Sequence, residues 1–416
     1  MSRISRRAFL RASGGATTFG VLAGCTGDGG GDTPTETHGD HTHTDTPSPS
    51  PAGPIVIGGL EPISGPFAPW AGVHQAGLQF AIDEINANGG VLGGRELKLT
   101  VTDTGADPAQ ADSSFRRLVE QEGVVATTGA VSSDVGIRVS QTAQDLKVPH
   151  LLHMAGSNKV ITPNTRHTFR VGLVPSVTYI QAQASAFEDR YDNIGAIIAD
   201  YAWGRAVESA INNAFSKDVN IQVAPIGASD FRSYLRQFDE GLEMLIASGH
   251  PPGSVAIANQ AFELGVSPDV VTGASTPPQL LAGALNDEAR AGYTHIHNSD
   301  PFGQKFKDVA GRFAEGHDSQ FNTHTAYGYV TGKLIAAAIE DAGEASPGAI
   351  TDGLKNIELD TLFANPVKYS DHGELDETIV IYSKLLATAP RYDPQGSYSY
   401  REVGRSQPLP ALAAGK

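Results

Sequence analysis

Ala81-Ile82-Asp83-Glu84-Ile85-Asn86-Ala87-Asn88-Gly89-Gly90-Val91-Leu92-Gly93-Gly94-Arg95-Glu96-Leu97 joins the end of a helix to the start of a strand. Leu78, Ile82 and Ile85 share one face of a helix expected over 73–87. Asn88-Gly89-Gly90 stops it, because glycine turns into the left-handed region without a Cβ clash. Beyond the turn Leu97, Leu99 and Val101 alternate with polar residues, the period of a strand. Upstream, Ile55-Val56-Ile57 is a short apolar run that Gly58-Gly59 lets out of a sheet. Strand, helix and strand in this order build a parallel sheet whose faces are covered by helices.

The rhythm continues downstream. Asp107-Pro108 offers a helix cap followed by proline at the first helical position, and Phe115, Leu118 and Val119 make that helix's apolar stripe. A strand is expected over 124–128, then a helix carrying Val135, Val139, Thr142, Ala143 and Leu146, then a strand opened by Leu151-Leu152. A second run begins after Val174. It reads as strand 194–199, helix 204–215, strand 221–223, helix 231–248, helix 253–265 and strand 270–272. Two α/β halves of similar pattern, without a sequence repeat, predict two doubly wound parallel-sheet lobes facing a cleft.

Ahead of this body the chain changes character. Ser5-Arg6-Arg7-Ala8-Phe9-Leu10-Arg11 precedes an uncharged segment, 12–24, too short to span the ~30 Å of a bilayer core. Paired arginines in this setting mark a twin-arginine export signal. Leu22-Ala23-Gly24-Cys25 resembles a lipoprotein box, which implies cleavage before Cys25 and lipid attachment to its sulfur. Residues 1–24 are therefore expected to be a signal, and 25–53 a disordered tether too poor in apolar residues to pack. Within the tether, His38, His41 and His43 stand with Asp40 and Asp45, donors able to bind a metal weakly. A polar, His-rich spacer is the simpler reading.

Charge and composition remove several classes of function. Losing residues 1–24 removes four arginines and no acids, taking the formal charge from −16 to −20. A nucleic-acid surface is excluded on that balance. Acid excess of this kind suits a halophilic setting, where a Debye length of ~3 Å at molar salt screens self-repulsion. With one cysteine no internal disulfide forms, and about 360 residues after the tether suffice for two domains. Enzyme signals are weak. There is no Gly-x-Ser-x-Gly elbow, and Gly328-Tyr329-Val330-Thr331-Gly332-Lys333 has the wrong spacing for a phosphate loop. His150 and His153 flank Leu151-Leu152 in a strand-like pattern, with metal binding the lesser reading. No catalytic residue, no metal and no cofactor are expected.

Ligands in open parallel sheets sit at the carboxyl ends of the strands. Gly129-Ala130-Val131-Ser132-Ser133-Asp134 places two hydroxyls and free N–H groups at a helix N-terminus, which suits a carboxylate. Ala155-Gly156-Ser157-Asn158 repeats the arrangement one strand later. Tyr201-Ala202-Trp203-Gly204 and Pro69-Trp70 bring aromatic rings to the same ends.

The opening 55–58, Pro62-Ile63-Ser64-Gly65-Pro66, the stretch 81–95 and Asp107-Pro108-Ala109-Gln110 together resemble the branched-chain amino-acid-type (Leu/Ile/Val-binding-protein-like) solute-binding proteins of ABC transporters. The resemblance runs over about 54–387. It implies a type I periplasmic-binding-protein fold with three crossings between lobes, near Leu173-Val174, Ile296-His297 and 362–365. Lobe one is then 54–173 with 298–361, and lobe two 174–296 with 362–416. It further implies a lipid-anchored, extracytoplasmic receptor that closes on a small solute and delivers it to permease subunits driven by cytoplasmic ATPases. Matched onto the family pattern, Val131, Ser132, Ser133, Ala155 and Ser157 hold a solute carboxylate, and Trp70 and Trp203 wall the pocket. The family's acid for an α-ammonium is missing around Gly273-Ala274-Ser275-Thr276, leaving Ser275 in its place and Asp200 as the candidate substitute, with another acid left open. A branched-chain or related amino acid, an amide, or an organic acid are the solutes this admits. Two other functions remain open at this point: metal capture by the tether histidines, and ligand sensing for a separate signalling receptor.

Overall fold

The computed structural model describes residues 53–250 and 253–412. The first lobe is built on β1 (Ile55–Glu61), β2 (Leu97–Asp103), β3 (Ala126–Gly129), β4 (His150–Leu152) and β5 (Thr168–Arg170), hydrogen-bonded in the order β2-β1-β3-β4-β5. All pairs are parallel, in a register that sets Ile55 beside Leu97, Ile57 beside Ala126 and Thr127 beside His150. Between them run α1 (Ala68–Ala87), α2 (Pro108–Glu122) and α3 (Ser133–Leu146). The expected stop of α1 is realised, with Gly89 and Gly90 at φ of 99° and 71°. The expected cap of α2 is realised too: Asp107 Oδ1 accepts from Gln110 N–H at 2.7 Å. Helix α1 starts at Ala68 rather than near residue 73, because Pro69 fits a first turn whose N–H groups need no intrahelical partner.

After α4 (Ser176–Phe187) and a short 3₁₀ turn, the second lobe repeats the plan. Its strands are β6 (Ile194–Ala199), β7 (Val219–Ala224), β8 (Met244–Ser248) and β9 (Val270–Gly273), parallel throughout and ordered β7-β6-β8-β9. The helices are α5 (Ala202–Ala214), α6 (Arg232–Leu235), α7 (Gly253–Glu263), α8 (Pro278–Ala284) and α9 (Asp287–Gly292). The helix expected over 231–248 is a correction: only the four residues of α6 are helical, and the rest enters β8. Met244-Leu245-Ile246-Ala247-Ser248 is buried at every position, the signature of a central parallel strand covered on both faces. Gly241, at φ 86°, turns the chain between the two.

The chain then returns. β10 (His295–His297) pairs antiparallel with β11 (Ile381–Leu386), and β11 with β12 (Ser399–Arg405), a small third sheet. Between β10 and β11 lie α10 (Gln304–Ala314), α11 (Thr323–Ala342) and α12 (Pro347–Lys355). Helix α11 packs along α1 so closely that a Cβ on Gly77 would sit 1.9 Å from Thr325 O, and one on Gly328 1.9 Å from His74 O. Residues 328–333, the segment with phosphate-loop composition, are thus helical, and 328–332 are buried. The connection to β11 folds back on itself through the bridges Leu359 to Val367 and Tyr369 to Leu375, and lies on the edge of β5, where Arg170 N–H reaches Gly373 O at 2.8 Å. No helix among the described residues is long and apolar enough to cross a membrane.

Candidate functional site

Each sheet changes winding direction beside its first strand, between β1 and β3 in one lobe and between β6 and β8 in the other. Loops at such a point leave a crevice at the strands' carboxyl ends. The two crevices face each other here. Val131, Ser133, Met154 and Leu173 from the first lobe meet Tyr201, Trp203, His250, Ala274 and Ser275 from the second around one cavity. The space between them is only about 10 Å³, close to the room one water molecule needs. The lobes are closed on one another.

Direct bonds hold the closure. Trp70 Nε1–H donates to Ser275 O at 2.9 Å, and Ala202 N–H, at the start of α5, donates to Asp134 Oδ2 at 3.3 Å. Ser275 Oγ lies 3.2 Å from His324 Nε2 on α11. Phe67 of the first lobe packs its ring 4.8 Å from His250 and 6.5 Å from Tyr201, and Trp70 lies 5.4 Å from His250. Trp203 covers Gly156: a Cβ there would come within 2.3 Å of the indole, so only glycine gives the ring a seat. Its Nε1–H donates to Ser248 Oγ at 3.0 Å.

Of the residues expected to bind solute, Val131, Ser133, Trp203 and Ser275 line the cavity. Ser157 is tied to them, donating its N–H to Ser133 Oγ at 3.1 Å, and this leaves the Ser133 hydroxyl proton to turn toward the cavity. Trp70 stands behind His250 in the aromatic wall. Ser132 is buried just ahead of α3, and Ala155 packs in the first-lobe core, its carbonyl accepting from Arg170 Nη1–H at 3.0 Å. Asp200 is exposed and paired with Arg205 at 2.9 Å, away from the cavity lining. Cys25 and the tether histidines lie outside the described residues.

His250 and Met154 are cavity residues that sequence reading passed over, and His250 is the polar one. His250 follows β8, and a helix drawn through 231–248 erased the strand end that carries it. Burial pushes its imidazole down to about 3, so it is neutral at ordinary pH. Its Nδ1 and the Tyr201 hydroxyl are both buried without a hydrogen-bond partner. Among the described residues no carboxylate lines the cavity. His150 lies inside the first lobe, its Nδ1 3.0 Å from Thr127 Oγ1 and its Nε2 buried without a partner.

Residues 54–383 match the profile of the family described as periplasmic binding protein. Among curated proteins, the chain is 24% identical over 328 residues to Leu/Ile/Val-binding protein homolog 7 of Brucella suis, covering 74% of this chain and 82% of that one. Among solved structures, it is similar to an ABC transporter solute-binding protein from R. palustris in complex with benzoate, with TM-score 0.74, 18% identity, and 87% and 98% of the two chains covered. It is likewise similar to the branched-chain amino acid transporter substrate-binding protein of Streptococcus pneumoniae in complex with isoleucine, with TM-score 0.71, 18% identity, and 84% and 99% covered. Similarity at that identity speaks to the shared type I fold. Two parallel-sheet lobes closing on a cavity at their switch points, together with a match over most of the chain, make this protein a member of the periplasmic binding protein family.

Proposed function

We propose that this protein captures a small carboxylate- or amide-bearing solute that has no α-ammonium group, and hands it to an ABC importer. Membership of the family makes it a solute receptor rather than an enzyme, and supports an extracytoplasmic place beside ABC permeases. One observation carries the choice of solute. The cavity offers Ser133, the unpartnered Tyr201 hydroxyl and the unpartnered, neutral His250, with no acid in its described lining. An ammonium buried there without a counter-charge would be costly, whereas a carboxylate is met by hydroxyls and by the N-termini of α3 and α5. The rings of Phe67, Trp70, Tyr201 and Trp203 favour a flat, apolar body behind it. Structural relatives of this fold hold isoleucine in one case and benzoate in another, so both solute types are within its reach.

Calorimetry on the full chain decides the matter. Benzoate-type carboxylates and short aromatic amides are expected to bind, and leucine weakly or not at all. Hydrogen bonds to a charged group contribute roughly 1.5–3 kcal/mol each, so Ser133→Ala combined with Ser157→Ala should weaken binding at least about tenfold. Micromolar leucine binding would overturn the solute assignment while leaving the family untouched.

The same proposal includes delivery and anchorage. Twin-arginine export of 1–24, diacyl lipid on Cys25 and a spacer over 25–53 would hold the body near its permease. Cys25→Ser should release a folded protein into the medium; retention in the membrane fraction at high salt would count against the anchor. Lobe one would comprise 54–173 with 298–361, and lobe two 174–296 with 362–416. The contacts of Tyr369 and Gly373 with β5 favour residues 362–380 moving with lobe one.

A further inference from the structure

Beneath the cavity the first lobe holds three side chains whose polar atoms converge. Glu61 ends β1, His74 stands on α1 one turn beyond Trp70, and His153 follows β4, each no more than 1% exposed. His74 Nδ1 is 2.7 Å from Glu61 Oε1, and the His74 and His153 rings stack with centroids 4.0 Å apart. One donor atom from each residue lies within 4.8 Å of those of the other two. The His74–Glu61 contact uses only one atom of each partner. Glu61 Oε2, His74 Nε2 and both nitrogens of His153 are buried with no hydrogen-bond partner. A neutral imidazole has one donor and one acceptor, and His153 spends neither on the protein around it. Buried polar atoms left without a partner destabilise the fold, and an ion would relieve that.

We propose that Glu61, His74 and His153 form a binding site for one divalent transition-metal ion of the zinc class. Two imidazoles and a carboxylate suit zinc, cobalt, nickel or copper, whereas calcium and magnesium require more oxygen ligands than this pocket has. The carboxylate also offsets half of the ion's charge, which an apolar core demands. The near-parallel stack, 18° between ring planes, must splay for two ring nitrogens to share an ion, so binding turns at least one ring. The fourth position falls to water or to His324, whose Nδ1 is also unpartnered and whose ring centroid is 6.3 Å from that of His153. The ion would tie the ends of β1 and β4 to α1, bracing the loop that carries Met154 and the first turn of α1 that carries Trp70. This site shares no residue with the lining of the solute cavity.

The tether must be silenced to test it. The full chain carrying His38→Ala, His41→Ala and His43→Ala is unfolded, stripped with chelator and refolded with Co²⁺ alone. The expected result is one cobalt ion per chain with the visible absorption of a four-coordinate site, displaced by Zn²⁺. His153→Gln and Glu61→Gln on that background should each abolish the band while the circular dichroism of the fold is kept. Should either variant fail to fold, anomalous diffraction from the zinc-loaded parent locates the ion directly. No stoichiometric cobalt after refolding, a band that survives both substitutions, an anomalous peak elsewhere, or water alone between the three side chains would each overturn the proposal.

Discussion

Arg170 shows how much one side chain can fasten. It is fully buried, and its Nε and Nη2 donate to the two oxygens of Glu374 at 2.5 and 2.9 Å. Its Nη1 donates to Ala155 O and Leu173 O, both at 3.0 Å. Four pieces of chain therefore meet at one guanidinium: β5, the loop beneath Trp203, the passage toward the second lobe, and the fold-back after α12. A buried ion pair adds little relative to apolar residues, but removing one partner strands the other charge at a cost of about 3–5 kcal/mol. Glu374→Ala should lose that much unfolding free energy in urea, and Glu374→Gln less. A loss below about 1 kcal/mol would mean that water reaches the guanidinium. None of this was legible beforehand: a lone arginine in a strand and a glutamate 204 residues away carry no shared pattern.

Among elements, the packing of α1 on α11 sets the position of Trp70 and His74. Two glycines allow it, each facing a carbonyl of the other helix. On helix propensity alone, alanine would stabilise either site by up to about 1 kcal/mol. The backbone contacts reverse that sign. Gly77→Ala and Gly328→Ala should each destabilise by about 2 kcal/mol or more, read as a fall in melting temperature, because backbone cannot yield as a flexible side chain does. Helix periodicity found α1, α2, α3 and α5, whose apolar stripes are well separated from their polar faces. It failed at 231–248, where a wholly apolar strand and a buried helix look alike. Val131, Ser133, Tyr201 and Trp203 followed from loops at strand ends; His250 did not, because its strand was misread.

For the whole molecule, pH and salt are the informative variables. Burial holds His150 and His250 down to about 3 and His297 to about 4, against an ordinary value of 6.5. The folded values lie below the unfolded one, so the unfolded chain takes up protons first as pH drops below about 6.5. Each histidine then removes roughly 1.4 kcal/mol per pH unit until its folded value is reached. Melting at pH 5.5 should come well below melting at pH 7.5, at fixed molar salt. Protonation of surface acids would act oppositely, by relieving repulsion, so the sign of the change identifies the dominant group. At neutral pH the acid excess predicts that the melting temperature rises steeply with salt. A salt-independent value would remove the halophilic reading.

The chain's two tryptophans both sit at the meeting of the lobes, one bonded across to Ser275 and the other seated on Gly156. Every photon of indole emission therefore originates at the gate. When the lobes part, Trp70 loses its partner and Trp203 its cover, and both rings gain water. The emission should move to longer wavelength on opening and return on solute capture, with no distant tryptophan to dilute the signal. The protein carries its own optical gauge of closure, readable without a label.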